Sequence, residues 1–235
     1  MEYELKLNKD YCVVSANDLI KGKQRMTIQE SKLLYIAISQ VVKEDKDFKT
    51  YTTTIPELAE FLGITSDNLY RDIDKITDNL LQRFVKIKID KNKWKKFQWV
   101  NRADYDNGVL TLRLSDDIKP YLLELEKHYS QFVLSTMLTF KSYYASRIYQ
   151  LLVCDMMGKE EFEKTLTIEE LRDFLQIDEK KFSRPFDLIK NTIAIAKEEI
   201  NEPASNSCII MDYRVNKQRR KGSPIQSITL TALAR

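Results

Sequence analysis

Apolar residues recur in the same order in two segments of this chain, TIPELAEFLGI at 54–64 and TIEELRDFLQI at 167–177. The matching pairs share one offset: Ile55 and Ile168, Leu58 and Leu171, Phe61 and Phe174, Leu62 and Leu175, Ile64 and Ile177. The same offset continues downstream, where Ile73, Ile76 and Leu80 correspond to Phe186, Ile189 and Ile193. A constant offset across two predicted helices indicates a duplicated structural unit.

The spacing of apolar residues in the first half predicts helices followed by strands. The predicted helices cover about residues 28–43, 55–62 and 69–82. Thr-x-x-Glu capping boxes begin the first two helices, and Gly63 ends the second. Strands are predicted near 84–90, 97–105 and 108–114, with Asp106-Asn107-Gly108 as a hairpin turn between the last two.

The second half repeats this order. Helices are predicted at about 140–157, from Thr167 to Leu175, and after Pro185. Two strands follow, with the sequences CIIMDYRV and IQSITLTA. Three helices and a hairpin are typical of a winged helix-turn-helix, in which the third helix lies in the major groove.

The predicted fold class is therefore α+β, with tandem duplicated winged helix-turn-helix domains. The domains are expected at residues 1–125 and 126–235. Residues 116–138 are expected to join them as a mostly helical connector. The alternative at this point is a small α+β domain that packs in the same way without binding DNA.

Composition favours two ordered domains. The chain has 235 residues, of which 43% are hydrophobic and 31% are charged. No apolar run is long enough to span a bilayer, and the N-terminal residues lack the apolar core of a signal peptide. The three cysteines are scattered, as expected for reduced thiols in a cytoplasmic protein without a membrane partner.

Positive charge is concentrated in two short loops, although the net charge is only +3. Residues 86–96 carry six Lys and one Asp, and residues 214–221 carry three Arg and two Lys with no acid. The rest of the chain is therefore net acidic. Such segregation favours a polyanionic partner, and we expect both loops at equivalent wing tips.

Few residues are suited to catalysis, so the chain is not expected to be an enzyme. The single histidine, His128, excludes a histidine-pair metal site and the nicking initiators that need one. No phosphate-binding G-x-x-x-x-G-K-[ST] segment is present, and the cysteines lack the close pairs of a zinc site. No cofactor or metal is expected.

Several segments together resemble the iteron-binding replication initiators of theta-replicating bacterial plasmids. They are SKLLYIAISQV (31–41), IPELAEFLGI (55–64), SYYASRIYQLL (142–152), IEELRDFLQI (168–177) and AKEEIN (196–201). Ile148 and Gln150 depart from the Leu and Glu that this family often shows. The resemblance covers nearly the whole chain.

The resemblance implies a cytoplasmic bacterial protein that acts on plasmid DNA. Its partners would be double-stranded DNA, as origin iterons and an operator, and host initiator and helicase-loading proteins. Monomers would bind iterons and help open the origin. Homodimers, in equilibrium with monomers and formed through the first domain, would repress the initiator's own gene.

Candidate DNA contacts follow from the predicted helices and loops. Base reading is assigned mainly to the third helix of the second half, through Arg184, Asp187, Lys190 and Asn191. These residues alternate with Phe186, Leu188 and Ile189, which are expected in the core. The corresponding first-half residues are Asn68, Tyr70, Arg71 and Lys75. Phosphate contacts are assigned to Lys91, Lys93, Lys95, Lys96, Arg214, Lys217, Arg219, Arg220 and Lys221.

Ser142 and Arg147 are a further candidate phosphate anchor, at the start of a predicted helix. For Arg147 an intramolecular ion pair is the alternative. For the whole chain the alternatives are a tandem winged-helix transcriptional regulator and a non-DNA interaction scaffold. Direct repeats beside the coding region would favour the initiator, and a lone inverted repeat would favour the regulator.

Overall fold

A computed structural model describes residues 2–123, 125–217 and 224–235. It divides into two compact units, one ending at Leu138 and the other covering Thr139–Arg235. The boundary lies later than the predicted one after residue 125, because strand Tyr129–Val133 pairs with Cys12–Ala16 in the first unit. Residues 116–138 therefore belong to the first unit and do not join the two, and a strand interrupts their short helices.

The first unit contains six helices among its described residues. They are α1 (Asn17–Lys21), α2 (Ile28–Ser39), α3 (Ile55–Leu62), α4 (Ser66–Gln82), α5 (Lys119–Leu122) and α6 (Leu134–Thr139), whose last residue falls across the boundary. A 3-10 turn, Asp116–Ile118, precedes α5.

Nine strands complete the first unit's described elements. They are β1 (Glu2–Glu4), β2 (Cys12–Ala16), β3 (Lys23–Gln24), β4 (Thr50–Thr54), β5 (Phe84–Lys88), β6 (Trp94–Gln98), β7 (Val100–Asp106), β8 (Val109–Leu114) and β9 (Tyr129–Val133). They form sheets of order β1-β4-β8-β7, β3-β5-β6 and β2-β9. Pairing is antiparallel except between β1 and β4.

The second unit has fewer described helices and strands than the first. Its elements are α7 (Tyr143–Met156), β10 (Glu161–Thr167), α8 (Ile168–Leu175), α9 (Pro185–Ile189), a π turn (Lys190–Ala194), α10 (Ile195–Asn201), a 3-10 turn (Pro203–Ser205), β11 (Ile209–Lys217) and β12 (Ile225–Ala234). One antiparallel sheet has the order β10-β12-β11. Each unit is thus a helix-turn-helix beside a β-hairpin, as the repeat predicts.

The duplication extends to individual hydrogen bonds at the start of the short helices. Thr54 and Thr167 end strands β4 and β10 and also cap α3 and α8. Each threonine hydroxyl accepts from the backbone N–H of the glutamate three residues on, at 3.3 and 3.1 Å. That glutamate accepts in return from the threonine N–H. These two predicted capping boxes are confirmed, as is the third, of Thr27 and Glu30 at the start of α2.

The short helices also end alike but lead into different turns. Gly63 and Gln176 both adopt the left-handed conformation, with φ of 68° and 51°. In the first unit α4 begins at Ser66, whereas in the second α9 begins only at Pro185. Arg172 holds this longer turn by donating to the carbonyl oxygens of Asp178, Lys181 and Phe182. The corresponding first-unit residue is Ala59, which offers no such donor.

The π turn in the second unit changes which residues face the core. Leu188, Thr192, Ala196 and Ile200 are each four residues apart, and all are fully buried. A regular helix turns once every 3.6 residues, so a widened turn is needed to keep this spacing on one face. Phe186, predicted to be buried as the counterpart of Ile73, is instead 65% exposed, whereas Ile73 is 3% exposed.

We expect Thr54→Ala to lower the free energy of unfolding by about 1 kcal/mol, because it removes one capping box. Hydrogen bonds from Thr54 lower the pKa of the Glu57 carboxyl. The carboxylate's contribution is therefore present above its unfolded pKa of about 4.3 and is lost as the pH falls through the lower folded pKa. Urea unfolding at pH 7 and at pH 3 measures both effects.

Thr65→Ala is the matched control, because Thr65 caps α4 without a side-chain hydrogen bond. Its expected cost is below about 0.5 kcal/mol. Equal costs for the two substitutions would contradict a stabilising role for the capping box.

Candidate nucleic-acid interface

Strand order identifies the wing of each unit. In the second unit β12 lies between β10 and β11, and in the first unit β8 lies between β4 and β7. The counterpart of the β11–β12 hairpin is therefore β7–β8. Its two-residue turn, Asn107-Gly108, has positive φ at both residues, as the sequence predicts.

The first wing is not basic. Its strand β7 carries Asp104 and Asp106, and Arg102 is paired with Asp104 and with Glu2. The prediction that two basic loops occupy equivalent places is therefore wrong. Lysines 86–96 belong to the separate β5–β6 hairpin, which lies between α4 and the wing in sequence and pairs with β3.

The β5–β6 hairpin, termed the basic hairpin below, has one buried face and one cationic face. Val85 and Ile87 are buried, and the Phe97 ring contacts the Tyr121 ring at 5.6 Å between centroids. Cross-strand partners share a face in antiparallel pairing. The other face therefore carries Phe84, Lys86, Lys88, Trp94, Lys96 and Gln98.

Aromatic rings and ammonium groups alternate on this cationic face. Lys96 Nζ lies 3.2 Å from the Phe84 ring centroid, and Lys86 Nζ lies 4.6 Å from that of Trp94. Trp94 is 56% exposed. Lys91, Lys93 and Lys95 are also exposed, the first two in the turn. The arrangement presents positive charge beside flat apolar surfaces, a combination that suits a nucleic-acid backbone and its sugars.

The second wing keeps part of its predicted charge within the described residues. Arg214 is exposed and donates to Glu163 at 3.2 Å, and Lys217 is exposed at the end of β11. Arg219, Arg220 and Lys221 lie outside the described residues. The second wing is therefore basic in sequence, whereas the two Arg and two Asp of the first wing give it no net charge.

The third helix of each helix-turn-helix is termed its recognition helix: α4 in the first unit, and the continuous segment from α9 to α10 in the second. In α4 the candidates point to different surroundings. Asn68 and Arg71 border an apolar groove of about 280 Å³ between α2, α3 and α4. Tyr70 lies against the first wing, where a Cβ at Gly108 would be 3.1 Å from its hydroxyl. Lys75 is exposed.

The second recognition helix brings its four candidates together over two turns. Arg184 precedes the helix and binds Asp187 through Nε and Nη2, at 2.6 and 3.1 Å. Its side chain remains 79% exposed, so Asp187 fixes the guanidinium without removing it from solvent. Lys190 is exposed, and the half-buried Asn191 donates to the Asp187 carbonyl oxygen at 2.7 Å.

Two family descriptions together match most of the chain. "Initiator Replication protein, WH1" matches residues 12–153, and "Initiator Rep protein, WH2" matches residues 167–232. The chain belongs to the initiator replication protein family. The resemblance drawn from its motifs is thereby confirmed.

Two individual relatives illustrate this family membership. A "Replication initiation protein" of Escherichia coli is 27% identical over 175 residues, which are 72% of this chain and 53% of the relative. The chain thus spans about half the length of that curated relative. A crystal structure of the Pi initiator protein in complex with iteron DNA has the same fold, with a TM-score of 0.74 and 16% identity. That match covers 97% of this chain and 99% of the other.

In this member of the initiator family, the predicted anchor of Ser142 and Arg147 is structural. Arg147 is 1% exposed, lies 4.6 Å from the Phe174 ring and donates to Gln150 at 3.4 Å. A side chain so deeply buried is out of reach of a phosphate. Ser142 caps α7 by accepting from the Ala145 N–H at 3.4 Å.

Glu199, in the AKEEIN segment (196–201), already occupies the position of an anion at the N-terminus of α7. The Glu199 carboxylate accepts from the N–H groups of Lys141 and Ser142, at 2.9 and 3.2 Å. Asn201 pairs with β11 like a strand, donating to the Met211 carbonyl and accepting from its N–H, both at 2.8 Å. Sequence reasoning missed these roles, since a motif does not show which partners lie across the fold.

The described residues contain no cluster of three or more His, Cys, Asp or Glu side chains that could hold a metal ion. Within the same ranges, no helix has the length and apolar character needed to cross a membrane.

We expect Arg147→Leu to lower the free energy of unfolding by about 1–3 kcal/mol, because buried Gln150 loses a donor. The slope of log affinity against log salt should not change, because no phosphate contact is removed. Urea unfolding and DNA binding at several salt concentrations measure the two effects. Arg214→Ala is the control: it should flatten the slope by about one and leave stability nearly unchanged. A similar flattening for Arg147→Leu would restore its role as a phosphate anchor.

Proposed function

We propose that this chain is a sequence-specific duplex DNA-binding initiator of plasmid replication, which binds origin repeats and helps open the origin. The observation that carries the proposal is the match of both initiator domains to two winged-helix units in one chain. The Pi initiator protein, which shares the fold, is in complex with iteron DNA. Iteron DNA is therefore the first candidate partner for this chain.

The two units contribute differently in this proposal. The second unit reads bases through Arg184, Asp187, Lys190 and Asn191, as a guanidinium and an amide suit the edges of guanine and adenine. Its wing, with Arg214 and Lys217, contacts phosphates. In the first unit, the basic hairpin supplies the phosphate contacts that the wing, which carries no net charge, does not offer. Helix α4 supplies further DNA contacts, through Asn68, Tyr70, Arg71 and Lys75.

Other features of this proposal rest on family resemblance. They are a homodimer in equilibrium with the monomer, dimerisation through the first unit, autorepression at an operator, and host initiator and helicase-loading partners. Sedimentation over a range of protein concentrations tests the dimer directly. A single monomeric species throughout would remove both the dimer and the autorepression mechanism that depends on it.

Footprinting on the non-coding DNA of the replicon that encodes the chain tests the main proposal. We expect protection of several direct repeats. Arg184→Ala should cost about 1–3 kcal/mol on one repeat and much less on random DNA, because a base contact is lost. Arg214→Ala removes another exposed arginine bound to a carboxylate. It should lower the affinity for the repeat and for random DNA equally.

The alternatives predict different footprints. Protection of one inverted repeat, with no direct repeats, would favour a tandem winged-helix transcriptional regulator. An absence of binding to any duplex would favour a non-DNA scaffold. Equal losses on cognate and random DNA for Arg184→Ala would reassign that residue to the phosphate backbone.

A salt titration tests the basic hairpin. Replacing Lys88, Lys93 and Lys96 by Gln should reduce the magnitude of the log–log salt slope by about three, because up to three phosphate contacts are lost. Affinity should fall to a similar extent on cognate and random duplexes, because phosphates carry no base sequence.

The matched control replaces Lys6, Lys43 and Lys46, which are exposed lysines of the same unit outside the hairpin. This variant removes the same net charge, so its slope should change by much less than one. Equal slopes for the two triple variants would show that the hairpin acts only through overall charge.

A further inference from the structure

Phe186 is a large apolar side chain exposed on the second recognition helix. It is 65% exposed, in a segment where Leu188 is fully buried and Ile189 is 4% exposed. Phe186 lies two residues before Leu188, which places it about 200° around the helix from the core-facing residue. It therefore faces away from the core of the unit.

The π turn determines which face of this first segment, and therefore which side of Leu188, meets the core. One additional residue in a helical turn rotates everything before it by about 100° relative to a regular helix. The Thr192 hydroxyl donates to the Leu188 carbonyl, and the Asn191 amide donates to that of Asp187, both at 2.7 Å. These side chains satisfy carbonyl groups at the widened turn, so the rotated start of the helix is held in place.

The charged residues next to Phe186 in the helix carry a net positive charge. Lys190 lies one turn further along the same face and is exposed, and Arg184, two residues before Phe186, is paired with Asp187 but stays 79% exposed. Protein-binding sites are more often marked by a contiguous apolar patch. A single exposed ring beside net positive charge is better matched to a groove lined by phosphates.

We propose that Phe186 contacts the 5-methyl group of a thymine in the major groove and thereby determines specificity at one base pair. This assignment rests on the proposed function, because it requires the second recognition helix to lie in the groove. A phenyl ring has no hydrogen-bonding group, and the thymine methyl is the apolar feature of the major groove that such a side chain can read. Arg184 and Lys190 would position the ring by contacting neighbouring bases or phosphates.

A uracil scan of the binding site tests the assignment. Each thymine of one footprinted repeat is replaced in turn by uracil, which removes only the methyl group. For the unaltered full-length chain we expect one position at which affinity falls about fourfold, the equivalent of burying one methyl group. Phe186→Ala should bind the thymine-containing repeat several-fold more weakly and show no loss at that position. Phe186→Leu should keep part of the affinity difference between thymine and uracil at that position.

Met157→Ala is the matched control, since Met157 is 69% exposed in the same unit. It should retain the full uracil effect. Phe186→Ala should unfold at the same temperature as the parent chain, because the ring is not part of the core. Thermal unfolding monitored by circular dichroism checks this.

The outcomes separate the assignment from the proposed function. Uracil effects that are identical in the parent chain and Phe186→Ala would overturn the assignment, as would the lack of any uracil-sensitive position in the parent chain. Equal weakening of cognate and random DNA by Phe186→Ala would also overturn it. If the parent chain bound no repeat at all, the proposed function itself would fail, and the thymine contact with it.

Discussion

A threonine that ends strand β4 or β10 joins the sheet to the short helix in each unit. The backbone of Thr54 pairs with Val109 and that of Thr167 pairs with Ser227, so each residue belongs to the sheet that carries the wing. The side chain of the same residue caps the short helix. One residue thus fixes where the short helix starts relative to the strand that pairs with the wing. The recognition helix follows after a turn, and the length of that turn differs between the two units.

On this shared frame the two units have distributed their charge differently. In the first, the wing has no net charge and lysines occupy an inserted hairpin, where Phe84 and Trp94 separate the ammonium groups. In the second, the wing itself is basic in sequence. In the proposed function, the phosphate contacts of the first unit therefore come from the basic hairpin and not from the wing.

Local signals in the sequence account for the elements that were predicted well. Both capping boxes, Gly63 and the Asn107-Gly108 turn act within a few residues, and each was recognisable from residue type and spacing. Strands β2 and β9 were not predicted, because their pairing depends on residues more than a hundred positions apart. The position of the domain boundary depends on that pairing.

The candidate interface was predictable to a smaller extent, for two physical reasons. The apolar pattern predicts Phe186 in the core only if the helix has a regular period, which the π turn interrupts. Arg147 is a candidate phosphate anchor in the sequence because an arginine in a motif gives no indication of burial, and its contacts with Phe174 and Gln150 arise only in the fold. The exposed lysines needed no such information, since a dense run of charge is rarely buried.

The π turn also makes the orientation of the second recognition helix depend on the exact length of the chain. Deleting a single codon within residues 190–194 would allow a regular helix to form and would rotate the start of the recognition helix as one body. In the proposed function, the side chains assigned to base contacts before the deletion would change their targets together, while buried Leu188 and Ile189 would turn away from the core. A one-residue change in length would thus alter several base contacts at once and lower stability, where a point substitution alters one contact at a time.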